Sequence, residues 1–446
     1  MIHAAPALPA RPVWALAGLA LSALSWQVTP VQAQEGGLRA QFSLSEQLRS
    51  TTDDGEKART ELGFDFSSVT RSQSLDFSLS GALDKDLNDD LHSTLENPRA
   101  ALAYRLSNRN SALRFSTNYR RSDAQSLTAL DPLDTTDLTL LDGDREVLRS
   151  SLALEFGRAG PFGADLTLSM GETNFSGPVA GTLLDSTSAQ ASLNFRFDID
   201  PRITARARFE ISDLDRDGGR DDRTERVSVG ATFAINKVLT GNIDLGRTEA
   251  RQTLAGVTTS QSGLFYELGL GLQRPNGTLS GNLRSDIDQN GRRTSLRVDR
   301  ALELPNGALE FGAGVSQDAD TDGVDPLYSL SYTRTGPRST FNAGFEQIFG
   351  TNSAGDETLN SRLQLSLSNQ LSETATLNSR LALRDTKNGG SDTQQLDLSF
   401  DYAQELTNDW SFIAGYSHTR QTRNSGTDDT DDRLFVGVRL TRDWRP

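Results

Sequence analysis

Residues 363–384 read LQLSLSNQLSETATLNSRLALR. Leucine takes every second place at Leu363, Leu365 and Leu367, polar residues interrupt at 369–374, and the alternation resumes at Leu377, Leu381 and Leu383. Between the leucines stand Gln364, Ser366, Asn378, Arg380 and Arg384. Successive side chains of a strand point to opposite faces, so each half of this stretch is a strand with one apolar and one polar face. The polar break between them is a tight turn.

The same pattern fills the chain. Residues 191–199, ASLNFRFDI, set Ala191, Leu193, Phe195, Phe197 and Ile199 against Ser192, Asn194, Arg196 and Asp198. Residues 203–211, ITARARFEI, set Ile203, Ala205, Ala207, Phe209 and Ile211 against Thr204, Arg206, Arg208 and Glu210. About 22 such segments are counted by this template between residues 38 and 444. No helical period and no helix-length apolar run follows residue 33.

The connections divide into two kinds. Long ones rich in Asp and Gly, such as DLDRDGGRDDRTE (213–225), alternate with short ones such as RPNG and LPNG, which hold the residues that tight hairpins need. Loops sorted by length around the chain are expected of a barrel that crosses an outer membrane, with short turns periplasmic and long loops outside. The apolar faces then meet lipid, the polar faces meet a water-filled interior, and closure satisfies the backbone. A content of only 35% hydrophobic residues suits such a wall, because half of each strand stays wet. The expectation is an all-β, up-and-down antiparallel transmembrane barrel of about 22 strands, with both chain ends periplasmic.

Residues 1–33 read differently. Arg11 precedes an apolar run from Val13 to Val28, followed by Val31-Gln32-Ala33. A short positive region, a short apolar core and a small-residue cleavage site predict a secretory signal peptide over 1–33 and a barrel over 34–446. Only four residues, Gln34 to Gly37, separate the two, which leaves no plug domain ahead of the first strand.

The last strand, LFVGVRLTRDW (434–444), places Leu434, Val436, Val438, Leu440 and Trp444 on one face. Trp444, with Trp410 opening the preceding strand, predicts an aromatic girdle at the periplasmic edge. This export segment, the alternating strands and the near-terminal aromatic strand resemble the bacterial outer-membrane β-barrel proteins, most closely the porin-like ones. The resemblance is one of pattern over the whole mature chain. The chain departs from it by trailing Arg445-Pro446 and by setting Arg442 on the lipid parity. It implies passive passage of hydrophilic solutes, with outer-membrane lipid, lipopolysaccharide and the barrel assembly machinery as partners. An export portal for a polymer such as exopolysaccharide, and a structural or adhesive surface barrel, are the alternative readings.

By parity, Arg105, Arg114, Arg149, Arg196, Arg206 and Arg208 form a basic strip in the lumen. The bland reading is that such charges pair across strands and hold the wall. The longest connection, 122–144, mixes leucines with aspartates, and Asp131, Asp134, Asp137, Asp142 and Asp144 are candidates for a constriction facing that strip. In general porins the third external loop folds inward, and this loop holds the same place.

Three external segments carry a calcium-like spacing: Asp213, Asp215 and Asp217; Asp286, Asp288 and Asn290; Asp318, Asp320 and Asp322, each followed by glycine. Alternate carboxylates ahead of a turn glycine suit a hard cation such as Ca2+, but the bidentate twelfth-position glutamate is replaced by Thr224, Arg297 and Ser329. Asp-Gly and Asn-Gly are also ordinary turn formers. No other cofactor is expected.

With 60 acidic against 45 basic residues, no nucleic-acid partner is expected, and the absence of cysteine excludes disulfides and thiol chemistry. His92 and His418, the histidines beyond residue 33, stand beside no nucleophile pattern, so no enzyme is predicted.

Overall fold

A computed structural model describes residues 37–444 apart from 53–54, 88–92, 124–142, 178–183, 319–322, 352–356, 389–390 and 424–427. These residues form 22 strands of 12 to 18 residues, each antiparallel to its neighbours in the chain. β1 (Leu38–Thr51) pairs with β2 (Gly55–Val69) on one side and with β22 (Asp428–Trp444) on the other, so the sheet closes on itself. Closure leaves no edge strand and satisfies every ladder, which is the condition for standing in hydrocarbon. Every element among the described residues belongs to this wall.

Register partners share a face, so one face can be followed around the ring. On β22, Leu434, Val436, Val438 and Trp444 are exposed apolar side chains, while Arg433, Gly437 and Arg439 take the opposite parity. On β1, Gln47 is paired with Gly437 and buried, whereas Leu48, paired with Val436, is 58% exposed. Polar residues buried and leucines open is the inverse of a soluble core, and it identifies the outer face as lipid-facing.

Periplasmic turns are built as their sequences require. Asn108 Oδ1 accepts from the backbone N–H groups of Asn110 and Ser111 at 2.8 and 2.7 Å, and Asn236 Oδ1 does the same for Val238 and Leu239 at 2.9 Å each. These side-chain-capped turns fix the register of the strands they join.

The external side differs from expectation. Residues 213–225 form no long loop: β9 (Ile203–Arg216) and β10 (Arg220–Ala234) stay paired and turn within residues 217–219. β11 (Leu239–Leu254) and β12 (Val257–Arg274) are joined by Ala255 and Gly256 alone, with φ of 50° and 80°, the left-handed pair of a type I′ hairpin. Only 124–143 and 177–185 remain as connections longer than six residues. A transmembrane strand needs about 9–11 residues, so the surplus of each hairpin rises into water. There both faces are polar, and the ladder continues without an apolar signature.

Candidate functional site: the lumenal wall

The inward face carries charged side chains in many strands and is most densely knitted between β9 and β13 (Gly277–Asp288). β11 and β13, which are not register partners, approach within 8 Å, so the wall bends sharply across β12. Small residues on the concave side permit this: Gly246 faces Phe265, and Gly263 faces Thr248.

Arg226 on β10 donates to Glu210 on β9 at 2.5 Å and also pairs with Asp286 on β13. Asp286 further accepts from Thr248 at 2.8 Å and from Arg284 at 2.9 Å, and Arg284 faces Glu267 at 3.7 Å. The guanidiniums of Arg226 and Arg284 lie 4.9 and 5.3 Å from the centre of the Phe265 ring, which is 2% exposed. A ring face attracts cations, and covering it here removes its apolar surface from lumenal water. The signal for this knot is absent from any one strand, because it depends on curvature bringing five strands together.

The arginines of the expected basic strip differ in the partners they meet. Arg206 donates to Asp244 at 2.7 Å, Arg208 faces Glu210 at 3.8 Å, and Arg196 faces Asp198 at 3.6 Å while donating to the carbonyls of Gly157 and Gly160 at 3.0 and 3.2 Å. Those three belong to the charge-balanced wall. Arg114 meets Glu155 at 2.5 Å. Arg149, on β6 (Asp144–Phe156), is the register partner of Asn118 on β5 (Ser111–Asp123). Arg105, on β4 (Ser93–Ser107), has no ion pair or side-chain hydrogen bond among the described residues. Two further lumenal arginines, Arg99 and Arg120, stand opposite each other on β4 and β5. Arg120 shares parity with Arg114 and was open to a simple count.

Asp131, Asp134, Asp137 and Asp142 lie outside the described residues, as do Asp320, Asp322 and residues 1–33. Asp144 opens β6 on the outward parity, where Arg121 donates to it. Asp213 and Asp215 are strand residues of outward parity, and Arg223 approaches Asp213 at 3.7 Å; Asp217 lies in the turn. Asp286 is engaged by the lumenal knot, Asp288 accepts from the Asn290 backbone N–H at 2.8 Å, and Asp318 meets Arg293 at 3.1 Å. Among the described residues no three His, Asp or Glu groups converge as a metal site.

Trp410 and Trp444 are exposed on the outward face at the end where β1 begins and β22 stops. The register adds aromatic pairs to that end. Phe162 and Phe197 have ring centres 5.1 Å apart, Tyr332 and Phe341 6.1 Å, and Tyr402 and Phe412 6.4 Å. Such a belt marks the headgroup level. Arg442, on the same face between Leu440 and Trp444, turns to Asp409 in the adjacent turn at 3.3 Å. A long side chain near the interface thus carries its charge out of the hydrocarbon.

No family model matches this chain, and no curated protein matches it. Solved structures do. The FrpB iron transporter of Neisseria meningitidis, in its apoprotein form, is similar with a TM-score of 0.59 and 9% identity, over 92% of this chain and 82% of that one. The ferric-catecholate import receptor Fiu of E. coli K12 gives 0.56 and 10%, over 92% and 82%. A variant of the ferric enterobactin receptor of Pseudomonas aeruginosa gives 0.52 and 9%, over 92% and 81%. At such identity the likeness is one of fold. Together with the lipid-facing band it places the chain: this is a bacterial outer-membrane β-barrel.

Proposed function

We propose that the barrel is a porin-like channel through which hydrophilic solutes diffuse passively. The observation that carries this reading is the mainly polar inward parity of the wall, which every described element helps to build and which single apolar residues such as Phe265 and Ile413 interrupt. A lining of paired charges and hydroxyls keeps a bore wet and offers a permeating solute many weak contacts. Barrels of 22 strands used in active transport hold a plug in the lumen, and the described residues supply wall alone. The test is conductance: purified protein in a planar bilayer should add stepwise, ohmic conductance that rises with KCl concentration. A properly inserted barrel that adds no steps would overturn the reading.

A second reading, an export portal for a polymer such as exopolysaccharide, is favoured by one sector. The inward residues of β16 (Val324–Thr335), β17 (Ser339–Thr351) and β18 (Glu357–Gln370) include Ser329, Ser331, Thr333, Asn342, Ser366 and Ser368, with Asn342 donating to Ser366 at 3.3 Å. A neutral hydroxyl and amide surface suits a sugar chain. Concentration-dependent blockage of the KCl conductance by an added neutral polysaccharide would support the portal, and indifference would leave the solute channel.

A further inference from the structure

Like charges face each other across β4 and β5, as they also do at Arg196–Arg206 and Arg362–Arg384 elsewhere on the inner face. Arg99 is the register partner of Arg120, and Arg105 is that of Arg114. Asn118, on the same face as Arg120 and two residues away, pairs with Arg149. Direct opposition of like charges weakens a sheet, and between β9 and β13 the same wall matches arginine with carboxylate. Among the described residues neither Arg99 nor Arg105 has an ion-pair partner, and Arg99 lines a lumenal groove of about 440 Å³ whose acidic members are Glu61 and Asp65.

A bulge creates this arrangement. Between the pairs Ser80–Arg99 and Ala82–Glu96, β3 (Gln73–Asp86) has one residue, Gly81, where β4 has two, Asn97 and Pro98. Asn97 takes a φ of 49°, and asparagine tolerates that left-handed conformation. Strict alternation from Glu96 would turn Arg99 and Arg105 to lipid. The inserted residue reverses the parity, sends Leu102, Tyr104 and Leu106 outward and brings both arginines in. Bulges commonly re-aim side chains beside functional sites.

We infer that the β4–β6 face is an oxyanion track. Arg99, Arg120 and Arg149 form its external station and Arg105, beside Arg114 with its partner Glu155, its periplasmic one, about 20 Å apart along the strands at 3.3–3.4 Å per residue. Guanidinium forks match phosphate and carboxylate oxygens in pairs, so the solutes it takes carry two or more negative charges on such groups. The inference rests on the channel reading only for the route of passage.

The test uses the full-length barrel, sodium tripolyphosphate as the probe and two readouts: block of KCl conductance in a planar bilayer, and the shift in thermal unfolding of the detergent-solubilised protein. The wild type should be blocked and stabilised. The triple variant Arg99→Ser/Arg120→Ser/Arg149→Ser should lose both effects, with apparent affinity falling roughly threefold per guanidinium removed, the scale of exposed charge pairs. The triple lysine variant should retain most of the effect. Equal block and equal shift in the wild type and the serine variant would overturn the track while leaving the channel intact. A barrel that is silent in KCl yet stabilised by tripolyphosphate only in its wild-type and lysine forms would keep the track and sink the channel.

Discussion

Arg206 on β9 holds the carboxylate of Asp244 on β11 across the strand between them, directly above Gly230. Two of its donors engage the two carboxylate oxygens, and a third reaches Thr232 on β10 at 3.0 Å. A Cβ at position 230 would overlap Asp244 Oδ1 and the Ile243 carbonyl oxygen. The glycine therefore serves close approach rather than a turn, and the ion pair braces three strands where two would otherwise be linked.

From this follows the effect of a single methyl group. Gly230→Ala should displace Asp244 and strip Arg206 of its partner, costing at least about 1–3 kcal/mol, the range for a buried polar group left without its hydrogen bonds, which charged groups exceed. Urea unfolding in detergent micelles measures it. In an Asp244→Ser background the same alanine should cost clearly less, since the pair it disrupts is already gone. Equal costs in both backgrounds would show that the alanine acts through the backbone alone.

The knot around Phe265 should be the most sensitive point of the wall. Replacing Arg226 with Met leaves Glu210 and Asp286 facing one another's neighbourhood without their shared cation and uncovers one side of the ring. Breaking a buried pair costs about 3–5 kcal/mol; with side chains 17% and 18% exposed to lumenal water, about 2–4 kcal/mol is expected here. Arg226→Lys should recover only part, because a point charge cannot span both carboxylates and cover the ring. Unfolding midpoints of the three proteins decide it.

The strands within the membrane were legible because lipid on one side and water on the other impose a period of two. Residues 363–384 resolve into β18 and β19 (Ala375–Asn388), with Leu363 opposite Leu383 and Leu365 opposite Leu381. Above the membrane the contrast disappears. Thr253 and Thr258 still pair through their hydroxyls at 3.0 Å, but nothing in their polarity separates strand from loop. The candidate site was legible only in part. Arg206 and Arg208 followed from alternation, and Glu210 stands two residues from Arg208 on the same face, but the neutralisation of Arg206 by Asp244, two strands away, depends on register. Arg99 shares the parity of Arg105 on the same strand and was equally legible; what alternation does not show is the Asn97–Pro98 bulge, which puts Glu96 on that face as well.

Closure of the barrel should appear on a gel. A closed ring has no edge from which denaturant can begin to peel strands, and β1 is tied to β22 by a full ladder and by the pair Arg39–Asp443 at 3.3 Å. The unheated protein should therefore migrate apart from the boiled protein in dodecyl sulfate. Arg39→Ala should leave that difference in place, since an exposed pair contributes at most about 1 kcal/mol beside the ladder.

The depth of the lipid band can be read from two positions on β22. Val438 lies six residues from Trp444 and midway between the aromatic belt and Asp432, which accepts from Tyr416 at 2.6 Å and contacts His418 at 2.9 Å near the external rim. An arginine there cannot reach either interface, and Val438→Arg should cost about 2–4 kcal/mol, the midplane value for a cationic side chain on a lipid face. Arg442 already stands two residues from Trp444 with its charge at Asp409. Arg442→Leu should therefore change stability by less than about 1 kcal/mol, in either direction, as positions near the interface do. Urea titration of refolding into lipid vesicles measures both. If the two substitutions cost the same, the outward face of β22 does not cross hydrocarbon, and its leucines and valines must be covered by protein instead.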